Sequence, residues 1–180
     1  VVENCTFTNN YATTLLGVGA YGQGGYQTAG AVVMHVVNKK ASYVKGCVFE
    51  NNTSPMAGAL YMQGSDKNIR GVLAYGLVNL SDCIFIGNNA TTKGGAAYLY
   101  SNSAMVNNCT FINNRELSKL YGYGGGAIFL DGSGLKLTDS NFINNGAAGS
   151  GSAIKTQNTF KGTLTINNCN FTGNINSTID

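Results

Sequence analysis

Asn108-Cys109-Thr110-Phe111-Ile112-Asn113-Asn114 decides the fold, because its pattern returns along the whole chain. Cys5-Thr6-Phe7-Thr8-Asn9-Asn10, Cys47-Val48-Phe49-Glu50-Asn51-Asn52 and Cys83-Ile84-Phe85-Ile86-Gly87-Asn88 precede it. Ser140-Asn141-Phe142-Ile143-Asn144-Asn145 and Cys169-Asn170-Phe171-Thr172-Gly173-Asn174 follow it. The six copies share [C/S]-x-F-x-x-N. Three residues before each Cys or Ser stands an aliphatic residue: Val2, Val44, Leu80, Val106, Leu137 and Ile166. The residue directly before it is Asn4, Gly46, Asp82, Asn108, Asp139 or Asn168, all types that tolerate positive φ.

A second motif, [G/S]-A-φ-x-φ with φ apolar, alternates with the first. It begins Gly30-Ala31-Val32, Gly58-Ala59-Leu60, Gly95-Ala96-Ala97, Gly126-Ala127-Ile128 and Ser152-Ala153-Ile154. The Phe-to-Phe intervals are 42, 36, 26, 31 and 29 residues. Fixed local motifs at variable intervals mean a constant structural rung with loops of different length. Apolar and polar residues alternate in Leu135-Lys136-Leu137 and Leu164-Thr165-Ile166, the period of a half-buried strand. Each rung is therefore read as three short strands, G-A-φ-x-φ, φ-x-φ and C-x-F, with a sharp bend at the Asn/Gly/Asp position.

Strands this short bury their apolar faces only by stacking in register, about 4.8 Å apart. Identical positions then become columns. One holds Phe7, Phe49, Phe85, Phe111, Phe142 and Phe171; a second holds Cys5, Cys47, Cys83, Cys109 and Cys169, with Ser140 in the fifth copy. A third holds Asn10, Asn52, Asn88, Asn114, Asn145 and Asn174, whose amides bond backbone groups and one another. The expected architecture is an all-β, right-handed, single-stranded parallel β-helix of about six rungs, a single domain over 1–180.

Composition agrees. Of 180 residues only 11% are charged, against about 25% in ordinary domains, while 43% are apolar and 25 are glycine. In-register stacking penalises like charges on adjacent rungs. The net charge of +3 comes from scattered lysines without a basic stripe, which argues against nucleic acid as a partner. No apolar run approaches the roughly 20 residues of a membrane span. The chain opens inside one C-x-F motif, shows no capping helix at either end and reads as a segment of a longer repeat protein, or one that stacks end to end with further rungs.

The paired motifs resemble known repeats. F-x-x-N with G-G-A-[I/L/V] looks like the repeat of the polymorphic outer-membrane proteins, which are autotransporter adhesins. N-C-T-F-x-N-N with G-G-A-I is similar to adhesin-like surface proteins of methanogenic archaea. The resemblance covers nearly the whole chain. Ser140 in place of Cys, Ser152 in place of Gly and the lack of a double Gly in the first two rungs depart from it. It implies a β-helix exposed at the cell surface that binds other cells.

Five cysteines in one column, a strand spacing apart, are expected to be free thiols protected by burial. With one His and no C-x-x-C pair, no metal site and no cofactor are expected. Sequons at Asn52, Asn89 and Asn176 are compatible with secretion, while Asn4 and Asn108 fall in the bend, where a glycan fits poorly.

Polysaccharide lyases and related hydrolases built on β-helices need clustered carboxylates on one face. The acids here are Glu3, Glu50, Asp66, Asp82, Glu116, Asp131, Asp139 and Asp180. Asp82 and Asp139 belong to the bend. Asp131 with Lys155 is the nearest approach to a constellation, His35 reads as a surface imidazole, and no catalytic residue is assigned.

Aligning the first strands gives the informative column. Val33, Tyr61, Tyr98, Phe129 and Lys155 alternate with the inward positions, and Lys155 argues that the column faces away from the dry core. The next outward column is His35, Gln63, Tyr100, Asp131 and Gln157. An outward ladder of Tyr61, Tyr98 and Phe129 flanked by amides and a carboxylate suits sugar rings or a partner surface. The loops 11–28, 62–76 and 115–124 add Tyr11, Tyr21, Tyr26, Tyr75, Tyr121 and Tyr123, and are long enough to fold over that ladder. Tyr61, Tyr98, Tyr100, Tyr121, Tyr123 and Phe129 are the candidate ligand-binding residues. The expected function is non-enzymatic adhesion to glycans or proteins at a cell surface. A carbohydrate-active β-helix enzyme and a purely structural stalk are the alternatives.

Overall fold

A computed structural model describes residues 1–13, 28–35, 41–67, 73–75, 77–101, 103–119, 122–132, 134–157 and 162–180. The described elements are β-strands, with no helix among them and so none long and apolar enough to cross a membrane. The chain winds through stacked parallel sheets. Sheet I holds Val32–His35, Leu60–Gln63, Ala97–Ser101, Ile128–Gly132 and Ile154–Thr156. Sheet II holds Val2–Glu3, Ala41–Lys45, Leu77–Ser81, Ser103–Asn107, Gly134–Thr138 and Thr163–Asn167. Sheet III holds Thr6–Thr8, Val48–Glu50, Ile84–Ile86, Thr110–Ile112, Asn141–Ile143 and Asn170–Thr172. The columns expected from the repeat are the observed register, with each Phe of sheet III paired to the Phe of the next rung. The fold is a parallel β-helix.

A fourth strand position adds to the three read from the sequence. Sheet IV consists of two-residue strands, Thr53–Ser54, Asn89–Ala90, Arg115–Glu116 and Gly146–Ala147, paired in parallel. Two residues carry no readable alternation. The end of the chain also goes beyond the repeat as read. Ser177-Thr178-Ile179 lies beside Ser152-Ala153-Ile154, its carbonyls accepting from Ser152, Ala153 and Ile154 N–H, and Ile179 bridges Ile154. This is the opening of a seventh turn, with Ser-Thr-Ile standing where other rungs carry Gly-Ala-φ. An antiparallel pair, Ser65–Lys67 with Leu73–Tyr75, projects after the sheet I strand of its rung.

Two corners shape each rung. Between sheets II and III, Asn4, Gly46, Asp82, Asn108, Asp139 and Asn168 have φ of 48–61°. Between sheets III and IV, Asn9, Asn51, Gly87, Asn113, Asn144 and Gly173 have φ of 53–63°. Asn, Asp and Gly adopt this left-handed region, which costs other residues roughly 1–2 kcal/mol each. Close approach explains the Gly before four of the five sheet I strands: a Cβ on Gly95 would lie 2.0 Å from the Gly126 carbonyl oxygen.

Inside the coil the columns interlock. Successive Phe rings stack at 4.7–5.0 Å between centroids and within 11° of parallel. Asn88 shows the ladder. Its N–H and Nδ2 donate to Asn114 Oδ1 at 3.0 and 2.9 Å, Nδ2 also donates to the Phe49 carbonyl at 3.0 Å, and its own Oδ1 accepts twice from Asn52. Every hydrogen-bonding position of this buried amide is thereby filled. The five cysteines are free; Cys47, Cys83 and Cys109 are buried and Cys5 and Cys169 half-buried. Each thiol donates to the carbonyl two residues earlier, and Ser140 Oγ makes the same bond to Thr138. Ser therefore substitutes for Cys without loss of a partner.

Candidate binding face

The column Val33, Tyr61, Tyr98, Phe129 and Lys155 does face away from the main core, since sheet I alternates and Leu60, Met62, Leu99, Ile128 and Leu130 point inward. It is nevertheless not an open ladder. Tyr61, Tyr98 and Phe129 are 2%, 6% and 0% exposed, which corrects the expectation that they present a contact surface. They form a second apolar cluster with Ala57, against which Ala29, Met56 and Tyr100 pack. The cause is the route from sheet IV to sheet I. The connecting segments run outside sheet I as a further layer, tied rung to rung through Ala29 with Ala57, Lys93 with Gly124, and Gly124 with Ser150. This roof encloses the rings, which meet edge to face and not stacked: Tyr61 to Tyr98 at 5.0 Å and 79°, Tyr98 to Phe129 at 5.2 Å and 73°.

Polar groups at the margin of this layer are tied down. The ammonium of Lys93 lies 4.7, 5.4 and 5.9 Å from the centroids of Phe129, Tyr98 and Tyr123, a cation enclosed by three ring systems. Burial lowers its pKa, and the negative charge of Asp131 opposes that fall. Tyr98 Oη donates to Asp131 Oδ2 at 2.8 Å, and Tyr61 Oη donates to Gln63 Oε1 at 3.4 Å. Burial foremost, and then the Asp131 charge, pushes the Tyr98 phenol up; burial does the same to Tyr61. Lys155 escapes the cost of an unpaired buried charge by pairing with Asp180, Nζ to Oδ2 2.6 Å. Asp131 and Lys155 thus have different partners, and the constellation read from the sequence is divided between Tyr98 and Asp180.

The surface that remains is the next outward column. His35, Gln63, Tyr100 and Asp131 are paired in register on consecutive strands, and Gln157 follows on the last. His35 is exposed, with its ring 6.1 Å from that of Tyr61, while Gln63, Tyr100, Asp131 and Gln157 are half-buried. Tyr123 is half-buried beside Lys93. Tyr121, with Tyr21 and Tyr26, lies outside the described residues.

A second polar depression escaped the sequence reading. Asp139, Asn141, Asn168, Cys169 and Asn170 line about 320 Å³ at the corner of sheets II and III. Its signal was Asp-Ser-Asn above Asn-Cys-Asn on adjacent rungs, and Asn168 Nδ2 donates to Asp139 Oδ1 at 2.6 Å. Among the sequons, Asn52 is wholly committed to the ladder and cannot accept a glycan, whereas Asn176 is exposed. Among the described residues no group of three or more His, Cys, Asp or Glu is placed to hold a metal ion.

The sequence model of the family described as right handed beta helix region matches residues 1–180. No curated protein and no solved structure matches the chain.

Proposed function

Since the chain belongs to the right-handed beta helix family, a scaffold on which enzymes, binders and structural proteins are all built, we propose that it is a non-enzymatic, adhesin-like segment that binds glycans or proteins. One observation carries this: the polar-aromatic column His35, Gln63, Tyr100, Asp131 and Gln157, rising one residue per rung along the edge of sheet I. The roofed aromatic layer behind it supports the reading. Tyr98 fixes the Asp131 carboxylate, and Tyr100 packs against the buried cluster with part of its ring exposed. Such a surface is preorganised: amide, phenol and carboxylate groups sit at repeat spacing on a rigid wall, so little side-chain entropy is lost on contact. A location on the outside of a cell belongs to the same reading and rests on the likeness of the repeats to surface adhesins. It involves no nucleic acid and no membrane insertion of this segment.

Glycan-array binding tests the proposal. Binding without turnover is expected, weakened at least tenfold by Tyr100→Ala and altered in selectivity by Asp131→Asn. Cleavage of an acidic polysaccharide that Asp131→Asn abolishes would replace adhesion by catalysis. Concentration-dependent filaments without glycan or protein binding would favour a structural stalk of rungs stacked end to end.

A further inference from the structure

The polar depression at the corner of sheets II and III sits where the repeat changes character. Rung by rung, the first outward position of sheet III is Thr6, Val48, Ile84 and Thr110, and then Asn141 and Asn170, which are register partners. Two residues before each of those asparagines, Asp139 and Asn168 form the corner. Four amide or carboxylate residues thus stand two by two on adjacent rungs, about 4.8 Å apart. With Cys169 they line an open volume of about 320 Å³, at the lower end of the range for small-molecule sites. All four are exposed or half-buried, so the depression is reached from solvent.

The corner pair is held in place. Asp139 Oδ1 accepts from Asn168 Nδ2 at 2.6 Å, and Oδ2 accepts from Asn107 Nδ2 at 3.2 Å. A carboxylate has about four lone-pair sites, so about two remain for a ligand. The strand pair keeps its hydrogen-bonding capacity. Among the described residues the Asn141 side chain has no hydrogen-bond partner. Asn170 accepts from Thr172 Oγ1 at 3.1 Å, and its own amide N–H groups have no acceptor among the described residues.

Donors and acceptors therefore alternate around one space: the N–H groups of Asn141 and Asn170, the carbonyl of Asn141 and the carboxylate of Asp139. A sugar hydroxyl donates and accepts at once, and a ring carrying several of them matches such a lining. A phosphate or carboxylate ligand would meet the charge of Asp139. A metal ion would meet amide N–H groups, and an apolar molecule would find no apolar wall. We propose that Asp139, Asn141, Asn168 and Asn170 bind a neutral hexose unit of a glycan. This extends the adhesin-like reading to a second wall of the coil and does not depend on the sheet I column. Two sugar sites on two walls let one segment grip a branched glycan twice or bridge two chains, so that weak contacts add up through effective concentration.

The full chain is titrated at pH 7, by calorimetry and by saturation-transfer NMR, with the methyl glycosides of glucose, galactose and mannose, and with glycerol as control. Saturable binding of at least one hexoside is expected, with a Kd on the order of 1–10 mM for so small and polar a ligand. Asn141→Ala removes a side chain that supports nothing else and is expected to weaken binding about three- to tenfold, the worth of one neutral hydrogen bond. Asp139→Asn places at the corner the residue already found there at Asn4, Asn108 and Asn168, so the fold tolerates it. It is expected to weaken binding at least about tenfold, because a charged acceptor is lost. Absence of saturable binding for all three hexosides up to about 50 mM overturns the site. So does binding unchanged in both variants, or an equal response to glycerol. Hexoside binding that is lost in Tyr100→Ala and kept in both corner variants places the sugar on sheet I and likewise rejects the corner. Hexoside binding that the corner variants weaken, on a chain whose sheet I column binds no glycan, supports this site and rejects the other.

Discussion

Tyr98 and Asp131 sit on neighbouring strands of sheet I, two residues out of register, and the phenol donates to the carboxylate at 2.8 Å. Tyr98 belongs to the roofed aromatic layer and Asp131 to the column that faces solvent. The bond therefore joins the buried layer to the surface and sets the orientation of the carboxylate there. Tyr98→Phe keeps the ring packing and removes only this bond. Because Asp131 is half-buried and retains some hydration, the expected loss is about 1.5 kcal/mol, the lower end for a charge-assisted bond. Tyr98→Ala also empties the layer and is expected to cost about 3–5 kcal/mol. Urea denaturation of the two variants measures the difference. Equal losses would mean that the ring contributes nothing, contrary to its burial.

The Asn ladder is expected to be sensitive at its middle and tolerant at its end. Asn114→Ala strands the N–H and Nδ2 groups of Asn88 and the Phe85 carbonyl, all buried. With each unsatisfied group costing about 1–3 kcal/mol, a loss above about 3 kcal/mol follows, enough to unfold a marginal domain. Asn10 is half-buried, and among the described residues its side chain donates to Asn52 alone. Asn10→Ala should cost less than about 1 kcal/mol. Denaturation midpoints in one buffer compare the two, and a reversed order would refute the ladder as a source of stability.

These columns were legible in the sequence because stacking demands the same answer at every rung. A Phe that stacks on Phe, an Asn whose amide bonds the Asn of the next rung and a corner open only to Asn, Asp or Gly must each repeat, and repetition is visible without a structure. The inference that Lys155 cannot enter the dry core was also sound for the direction of its column. Burial of that column was not legible. It depends on what passes above, and the roof is built from Met56, Lys93, Gly124 and Ser150, which share neither residue type nor interval. Backbone meets backbone there, which constrains residue type only locally, as at Gly124, where a Cβ would lie 2.0 Å from the Ser150 carbonyl oxygen.

The cysteine column predicts a graded reactivity. Cys5 and Cys169 are half-buried, while Cys47, Cys83 and Cys109 are sealed in the core. Burial pushes the Cys47 thiol up, and the bond to Cys83 together with burial does the same to Cys109, while that same bond holds Cys83 lower; it is the sealing of all three from solvent that keeps reagent away. An aromatic disulfide reagent at pH 8 is expected to label two thiols of native protein quickly and all five after denaturation. Rapid labelling of five in the native state would show that the coil opens readily. Labelling of none after denaturation would mean that the thiols are oxidised or blocked.

The pairing of Lys155 with Asp180 makes the opening of the seventh turn pH-dependent. The Lys155 hydrogen bond foremost, and a second from Ser150, hold the Asp180 carboxyl below the usual carboxylate range. An acid whose pKa is lower folded than unfolded stabilises the fold when ionised. That contribution is complete above the unfolded value of about 3.9 and is lost as pH falls through the lowered folded value. Asp180 is 46% exposed, so water and salt weaken the pair, and its worth at pH 7 is below about 1 kcal/mol. Asp180→Asn is therefore expected to lower stability slightly at pH 7 and to match the wild type near pH 2. Salt at 1 M should narrow the gap at pH 7, because exposed charge is screened within about 3 Å at that ionic strength. A gap that persists unchanged into acid would assign the effect to the backbone bonds between Asp180 and sheet I, Asp180 N–H to Ile154 at 3.1 Å and Thr156 N–H to Asp180 at 2.6 Å, and remove the ion pair from the account.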